Sequence, residues 1–233
     1  MTREPVLGLV PARGGSKGVP GKNVKPLAGH SLLDYTARAA RESGVIDRMI
    51  LSTESPEIAD VGRRAGLDVA FMRPVTLAAD DTPMVPVIVH ALAELSRQGW
   101  LPEIVVLLQP TSPLRRPDHI RDAVNLLKRT KADSVVTVVE LPRDHSPDYL
   151  MRIDGDRLRP FLSDGPRLTR RQDARPAYWR DGTAYVFWRS TLERFHDIYG
   201  ENCCPLILDG RDSLNIDTQD DWNEAAERLL SRQ

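Results

Sequence analysis

The chain is poor in cysteine and nearly neutral, and each shortage excludes a class of protein. Its only cysteines are the neighbours Cys203 and Cys204. Because adjacent cysteines rarely pair with each other, we expect no disulfide framework, and we expect a reducing, cytoplasmic location. The formal net charge of −1 over 233 residues gives no overall attraction to nucleic acid or to a membrane surface. Any cationic binding site must therefore be a local concentration of charge.

Long apolar runs are missing as well. No stretch approaches the roughly 18 apolar residues that indicate a membrane span. The first apolar run, 6–10, is short and ends at Pro11, so it lacks the pattern of a secretory signal. With 41% apolar and 28% charged residues, the composition is that of a globular protein large enough to bury a core. We expect neither a membrane nor a nucleic-acid partner.

Short apolar runs alternate with amphipathic segments along most of the chain. The predicted strands are 6–10, 49–53, 68–72, 104–108, 134–140, 183–188 and 205–208. The predicted helices are 31–42, 55–66, 82–97, 118–129, a segment from about 191, and 219–230. Ser55 and Pro56 give the second helix a cap and a first-turn proline. This alternation predicts an α/β fold, in which helices cover both faces of a mostly parallel sheet.

The alternation breaks over about 141–180. The sequence 149–162 reads as a hairpin that turns at Asp154 and Gly155, and an arginine-rich stretch follows it. We interpret this segment as an excursion from the sheet that serves as a substrate lid, a dimer arm, or both.

The loop that follows the first predicted strand, "VPARGGSKGVPGKN" at 10–23, is the clearest functional signal. It leaves the carboxyl end of that strand, which is where parallel sheets bind ligands. Its glycines let backbone N–H groups approach an anion, and Arg13, Lys17 and Lys22 add positive charge. The loop therefore predicts a polyphosphate site, although a solvated connection is the alternative interpretation.

The loop fits neither of two common phosphate motifs. The Walker pattern requires glycine where this chain has Ser16, and serine or threonine where it has Asn23. The dinucleotide fingerprint fails because the glycines are Gly14, Gly15 and Gly18. The loop is therefore a different kind of phosphate cradle.

Blocks of sequence along the chain together resemble the acylneuraminate cytidylyltransferase family, the CMP–sialic acid synthetases and their relatives. They are "VPARGGSKGVPGKNVKPLAG" at 10–29, "LLQPTSPLRRPDHI" at 107–120, "YWRDGTAYVF" at 178–187 and "NIDTQDDW" at 215–222. The resemblance implies transfer of CMP from CTP to an acidic acceptor with release of pyrophosphate. It also implies a single Rossmann-like three-layer nucleotidyltransferase domain over 1–233, paired as a homodimer through the inserted arm.

The resemblance also implies the roles of individual residues. CTP is assigned to Ala12, Arg13, Gly14, Ser16, Lys17, Asn23, Arg73, Thr82 and Gln109. The catalytic set is Arg13, Lys17, Lys22, Gln109 and Asp217. Fixed cations suit this chemistry because attack at the α-phosphorus adds charge to an already anionic triphosphate. Arg73 and Thr82 are the candidates for contacting cytosine, with a helix cap as the alternative role of Thr82.

The metal and the acceptor are the remaining assignments. Where the family has Asp-Ile-Asp, this chain has Asn215 and Asp217, which alternation on an extended segment places on one face. Mg²⁺ prefers carboxylate oxygens, so Asp217 is the principal metal candidate and Asn215 a neutral partner. The acceptor candidates are Gln109, Thr111, Ser112, Arg167, Arg170, Arg171 and Tyr178. Thr111 and Ser112 also suit a turn, and the arginines also suit a solvated loop.

The identity of the acceptor and the activity itself stay open at this stage. Sialic, pseudaminic, legionaminic and keto-deoxy acids are candidate acceptors, and so is a phosphonate. A different nucleotidyltransferase on the same fold is one rival interpretation. A catalytically inactive nucleotide-binding module is another, and Asn215 is the residue that favours it.

Overall fold

The computed structural model describes residues 4–162 and 170–232, and all structural statements refer to these ranges. The strands are β1 Val6–Pro11, β2 Arg48–Ser52, β3 Ile104–Leu107, β4 Ser134–Glu140, β5 Met151–Asp154, β6 Arg157–Pro160, β7 Tyr178–Trp188 and β8 Cys203–Leu208. The helices are α1 Leu32–Ser43, α2 Pro56–Arg64, α3 Met84–Arg97, α4 Pro117–Thr130, α5 Arg189–Phe195 and α6 Gln219–Leu230.

The central sheet has the strand order β2-β1-β3-β7-β4-β8. Strand β7 runs antiparallel to both of its neighbours, whereas β1 pairs in parallel with β2 and β3, and β4 pairs in parallel with β8. The predicted mostly parallel α/β sheet is confirmed. Because parallel strands end at one edge, the segments that follow β1, β2 and β3 meet there, and the antiparallel β7 begins at that same edge.

Apolar layers lie on both faces of the sheet, as predicted. Along β1, Leu7 and Leu9 face the layer that contains α3 and α5, whereas Val6 and Val10 face the layer that contains α1, α2 and α4. Every residue of β1 is buried, which is why the strand reads as a continuous apolar run. The two layers make a three-layer α/β/α arrangement.

The ends of two helices test the predicted caps. Ser55 caps α2, and its hydroxyl accepts a hydrogen bond of 3.3 Å from the backbone N–H of Ile58. The alternative role of Thr82 as a cap is wrong, because α3 begins at Met84 with Pro83 at the N-cap and no side-chain cap. Pro83 occupies the extended position before the helix, so Thr82 lies one residue too far away.

Two predicted strand boundaries are also wrong. Within 68–72 only Asp68 bridges to the sheet, at Ile50. The chain then leaves β2, and the Arg73 N–H donates to Thr53 O at 2.8 Å. Strand β7 begins at Tyr178 rather than at 183, because the end of β4 is long enough to pair with these extra, more polar residues.

The predicted hairpin forms and stands outside the sheet. Strands β5 and β6 pair with each other, and every residue in them is exposed. The base of the arm is closed where the Leu141 N–H donates to Ala177 O at 2.8 Å. Nearby, the Ser146 hydroxyl donates to Arg175 O at 3.0 Å. The arm is thus tied at its base, while its tip presents side chains to solvent.

Candidate active site

A cavity of about 350 Å³ opens where the carboxyl ends of β1, β2 and β3 meet. It is lined by Pro11, Ala12, Arg13, Ser16, Lys17, Gly18, Lys22, Asn23, Arg73, Met84, Gln109, Pro110, Thr111, Asn215 and Asp217. Its size and position are those of a small-molecule site in an open α/β sheet.

Most of the predicted nucleotide, catalytic and metal residues lie together in this lining. Of the predicted residues in the described ranges, Gly14, Thr82, Ser112, Arg170 and Tyr178 do not line it. Arg167 lies outside the described residues, as does the side chain of Arg171. The proximity is what the predicted roles require, and the roles themselves stay predictions.

The opening loop is anchored against the segment that carries Asn215 and Asp217. A Cβ on Gly18 would lie 1.8 Å from the carbonyl oxygen of Asp217, so the close approach of these backbones requires glycine. Lys22 donates from Nζ to Ile216 O at 2.7 Å, across 194 positions of sequence. Val19 adds a buried apolar contact to the cluster around Trp222 of α6. The loop is therefore anchored at Gly18, Val19 and Lys22, while Lys17 remains 80% exposed.

Lys22 is a partly buried cation beside the candidate metal ligand. Its side chain is 15% exposed, and Nζ lies 3.8 Å from Asp217 Oδ1. Burial lowers the pKa of Lys22 from 10.5, and the attraction of Asp217 offsets only part of that effect. A lysine in this state can lose its proton at a lower pH than a solvated lysine, which would remove a charge from the site.

Arg13 and Lys17 share a carboxylate across the mouth of the cavity. Asp80 forms ion pairs with both cations, through one oxygen to Arg13 and the other to Lys17. Hydrogen bonds from Lys17 and Arg13 lower the pKa of Asp80 below 3.8. Sequence reasoning assigned the cations but missed Asp80, which lies between the two predicted cytosine contacts, Arg73 and Thr82, and gives no signal of its own.

Arg73 is buried at the inner wall. Its side chain is 4% exposed and pairs with Glu54 at 2.8 Å. It also donates to the carbonyl oxygen of Ala12 at 3.4 Å. Glu54 in turn accepts a hydrogen bond of 2.6 Å from the Gly14 N–H. Glu54 was missed by the sequence analysis, although its place directly after β2 is a usable signal under the parallel-sheet rule.

Asn23 holds the loop from beneath. It is buried, and its side-chain amide donates to Arg13 O at 3.1 Å. This bond holds the backbone at Arg13, beside the predicted phosphate-binding cations. Asn23 thus has a structural role as well as its predicted contact with CTP.

Three side-chain oxygens converge near Gly182. A Cβ on that glycine would lie 3.4 Å from Gln109 Oε1, 3.4 Å from Ser112 Oγ and 3.9 Å from Asn215 Oδ1. Gly182 has φ +79°, a conformation that favours glycine. Among the described residues, the Ser112 and Asn215 oxygens are buried without a hydrogen-bond partner. Such atoms are costly in a folded protein, and a ligand that donates hydrogen bonds would satisfy them.

Arg115 fixes the backbone of Gln109 from within the protein. Its guanidinium donates to Gln109 O and Thr183 O, both at 2.6 Å, and to the Thr36 hydroxyl at 3.2 Å. Burial lowers its pKa to about 10, with the nearby Asp181 acting in the opposite direction. Sequence reasoning did not select Arg115, because nothing in the sequence separates it from the exposed Arg116.

Asn215 and Asp217 lie side by side, as the alternation predicted. The Asn215 amide donates to Asp217 Oδ2 at 3.0 Å. The Asp217 side chain is 68% exposed, so its carboxylate is open to the cavity. Mg²⁺ in nucleotide sites is commonly held by one or two carboxylates together with substrate phosphates. Asp217 fits such a site, whereas the Asn215 amide nitrogen is already committed to Asp217. No cluster of three or more His, Cys, Asp or Glu side chains with metal-site geometry occurs in the described residues.

Two predicted acceptor residues of the arm, Arg170 and Tyr178, lie outside the cavity. Tyr178 is 45% exposed at the start of β7. Arg170 lies 3.8 Å from Asp173, with most of its side chain in solvent.

Across the described residues, the helices are all too short or too polar to cross a membrane.

Comparisons with known proteins identify the family of this chain. A family model described as cytidylyltransferase matches residues 7–148. The chain belongs to the cytidylyltransferase family. It is a CTP-dependent nucleotidyltransferase, and the relatives below confirm the resemblance to the acylneuraminate cytidylyltransferases.

This cytidylyltransferase is 34% identical over 220 residues to the CMP-N,N'-diacetyllegionaminic acid synthase of Legionella pneumophila, covering 93% of each protein. It is 30% identical over 225 residues to the N-acylneuraminate cytidylyltransferase of Escherichia coli O18:K1:H7. That match covers 96% of this chain and 52% of the relative, so the chain spans about half the length of that enzyme.

A solved structure has the same fold. CMP:2-keto-3-deoxy-manno-octonic acid synthetase, complexed with CTP, matches with a TM-score of 0.72 over 98% of this chain and 100% of that chain. The sequence identity is 12%, so this likeness concerns the fold alone. The predicted nucleotidyltransferase fold is confirmed.

Proposed function

We propose that this cytidylyltransferase transfers CMP from CTP to an acidic sugar-like acceptor, with Mg²⁺, and releases pyrophosphate. The observation that carries the proposal is the cavity itself. It brings Arg13, Lys17 and Lys22 of the opening loop together with Asp217 from the far end of the chain. A concentration of fixed cations beside one open carboxylate suits a triphosphate and a metal better than it suits a neutral ligand.

In the proposed reaction an oxygen of the acceptor attacks the α-phosphorus of CTP in line. A bond forms between that oxygen and phosphorus as the bond to the β-phosphate oxygen breaks, and pyrophosphate leaves. If the attacking group is a hydroxyl, its proton passes to water. Arg13 and Lys17 hold the phosphates, and the partly buried Lys22 stabilises the charge that accumulates during transfer.

Mg²⁺, when bound, neutralises phosphate charge and orients the triphosphate. Asp217 would hold it, and Asn215 orients that carboxylate through its amide. On the opposite wall of the cavity, Arg73 contacts the cytosine base. Its buried Nε has no hydrogen-bond partner among the described residues. That N–H can therefore donate to an acceptor atom of cytosine.

The proposed acceptor is a nonulosonic, sialic-acid-like acid. The name of the Legionella relative favours the N,N'-diacetyllegionaminic member of this class. The oxygens of Gln109, Ser112 and Asn215 around Gly182 provide hydrogen-bond acceptors for its hydroxyl or N–H groups. A phosphonate or another sugar acid is the alternative acceptor.

We also propose a homodimer in a cytoplasmic location. The exposed apolar side chains of the hairpin, Ile153 at 81% and Leu158 at 66%, support pairing with a second copy. The free thiols of Cys203 and Cys204 support a reducing compartment.

The decisive experiment measures pyrophosphate release with each of CTP, UTP, ATP and GTP. Each nucleotide is tested against N-acetylneuraminic acid, N,N'-diacetyllegionaminic acid, 2-keto-3-deoxy-manno-octonic acid and a phosphonate, with Mg²⁺ and with EDTA. We expect release with CTP, an acid and Mg²⁺ only. Arg13→Ala should lower kcat by about 100-fold or more, while the exposed control Arg38→Ala should not. Tight CTP binding without release from any acid would instead identify an inactive nucleotide-binding module.

A further inference from the structure

Glu54 joins the two walls of the nucleotide cavity, although no predicted role includes it. Its Oε1 accepts from the Gly14 N–H at 2.6 Å, and its Oε2 accepts from Arg73 Nη2 at 2.8 Å. One carboxylate therefore contacts both the phosphate loop and the residue proposed to face the base. The Glu54 side chain is only 14% exposed, so the pair is largely shielded from water.

A backbone hydrogen bond brings Arg73 next to Glu54, independently of the contact between their side chains. The Arg73 N–H donates to Thr53 O at 2.8 Å, immediately before Glu54. The guanidinium donates from one nitrogen, Nη2, both to Glu54 Oε2 at 2.8 Å and to Ala12 O at 3.4 Å, whereas its buried Nε has no partner among the described residues. Because the guanidinium is planar, two bonds at Nη2 limit its rotation and keep the Nε–H in a defined direction.

We propose that Glu54 is a positioning residue that sets the base selectivity of the site by fixing Arg73. The inference rests on the proposed function, since it requires a pyrimidine nucleotide in this cavity. Cytosine N3 accepts a hydrogen bond, whereas uracil N3 carries a hydrogen, so a rigid donor distinguishes the two bases and a loose one does not. The contact with Gly14 serves the phosphates, which CTP and UTP share.

The pKa of Glu54 is consistent with a permanent carboxylate. Burial raises it, but the hydrogen bonds from Arg73 and Gly14 outweigh burial and lower it below 4.5. Glu54 is thus charged throughout the neutral range. Removing its charge would leave the buried guanidinium unpaired and free to turn toward another acceptor.

The test is equilibrium binding of CTP and of UTP by calorimetry, which requires no knowledge of the acceptor. The variants are Glu54→Gln, which keeps size and removes charge, and Glu54→Asp, which keeps charge and shortens reach. Glu42→Gln is the matched control, because Glu42 pairs with Arg38 on the exposed face of α1. Circular dichroism and thermal melting establish that each variant is folded.

We expect the ratio of the UTP and CTP dissociation constants to fall about tenfold in Glu54→Gln, to fall less in Glu54→Asp, and to stay within twofold in Glu42→Gln. If Glu54→Gln does not fold, Glu54→Asp carries the test, and its ratio must still fall measurably. A variant that weakens CTP and UTP equally would overturn the proposal, because Glu54 would then support only the phosphate loop. Wild type that binds the two nucleotides equally would contradict the base assignment of the proposed function and this inference with it.

Discussion

At the scale of single residues, some buried side-chain oxygens of the protein have no hydrogen-bond partner and are candidate contacts for a substrate. Ser112 is 2% exposed, and its hydroxyl has no hydrogen-bond partner among the described residues. A buried hydroxyl without a partner costs about 1–3 kcal/mol. Such a group adds nothing to folding stability, and Ser112 Oγ lies with Gln109 Oε1 and Asn215 Oδ1 near Gly182, where the proposed acceptor would bind.

Ser112→Ala should therefore separate stability from function. Removing the unpaired hydroxyl should leave the free energy of unfolding unchanged or raise it by up to about 1 kcal/mol. The same change should raise KM for the acceptor several-fold. Urea unfolding and steady-state kinetics measure the two effects.

The matched control is Ser52→Ala. Ser52 is fully buried with an unpaired hydroxyl, but it is not among the side chains that converge near Gly182. Its loss should change stability in the same direction and leave the acceptor KM unaltered. A marked loss of stability in Ser112→Ala would show that the hydroxyl has a structural partner.

The pair Asn215 and Asp217 gives a second prediction at this scale. Asn215→Asp replaces a 3.0 Å hydrogen bond with two carboxylates facing each other. Their repulsion should lower the melting temperature without metal, and Mg²⁺ should restore it more than in wild type. Asp217→Asn should abolish activity, because only neutral amides would remain in the pair.

A Mg²⁺ titration checks this prediction by two readouts, thermal melting and pyrophosphate release. If Asn215→Asp melts like wild type at every Mg²⁺ concentration, the metal does not sit at this pair. Full activity in Asp217→Asn would lead to the same conclusion for Asp217 alone.

At the scale of elements, the site is made by segments that leave parallel strands at one edge. The segment after β1 supplies the cations, the one after β2 supplies Glu54, and the one after β3 supplies Gln109. The loop before α3 adds Asp80, whose carboxylate holds both Arg13 and Lys17. A triphosphate must compete with that carboxylate for the same cations.

Asp80→Asn should accordingly strengthen CTP binding measured without Mg²⁺. Exposed ion pairs are weak because water screens them, so the dissociation constant should fall by only a few-fold. The effect should shrink at high salt. Asp81→Asn, at the exposed neighbouring position, should change little. Weaker binding in Asp80→Asn would mean that Asp80 supports the bound nucleotide instead.

At the scale of the whole molecule, the arm is an isolated hairpin. Two-stranded hairpins are marginal by themselves, and β5 and β6 bury no residue against the described parts of the sheet. Ile153 pairs with Leu158, so their side chains share one face, whereas Arg152 and Arg159 share the other. A second copy of the chain would cover the apolar face.

Light scattering tests the dimer. Wild type should give twice the monomer mass of 26.1 kDa, and Ile153→Arg with Leu158→Arg should give the monomer mass. Arg152→Ala, on the opposite face, should remain dimeric. Monomeric wild type at micromolar concentration would refute the arm's proposed role.

The sequence by itself determined the local features of this protein. Periodicity identified the helices and most strands, because one buried face repeats at short range along the chain. Residue type located the cap at Ser55, which precedes a proline, and the hairpin turn at Asp154 and Gly155. The loop after β1 could be selected as the predicted phosphate site, since glycines and cations at the end of a buried strand carry their own signal. The predictions at 68–72 and 178–182 were wrong because the length of a strand depends on whether the neighbouring strand has free backbone groups to pair with it.

Only the tertiary structure decided which of these residues meet. Lys22 bonds to Ile216 across 194 positions, and Arg13 pairs with Asp80 across 67. Glu54 and Arg115 carry no motif, and their importance comes from what they touch: the Gly14 N–H and Arg73 in one case, the Gln109 carbonyl in the other. A parallel sheet gathers the ends of distant strands at one edge, so partnerships across the cavity are set by topology, and no local pattern encodes them.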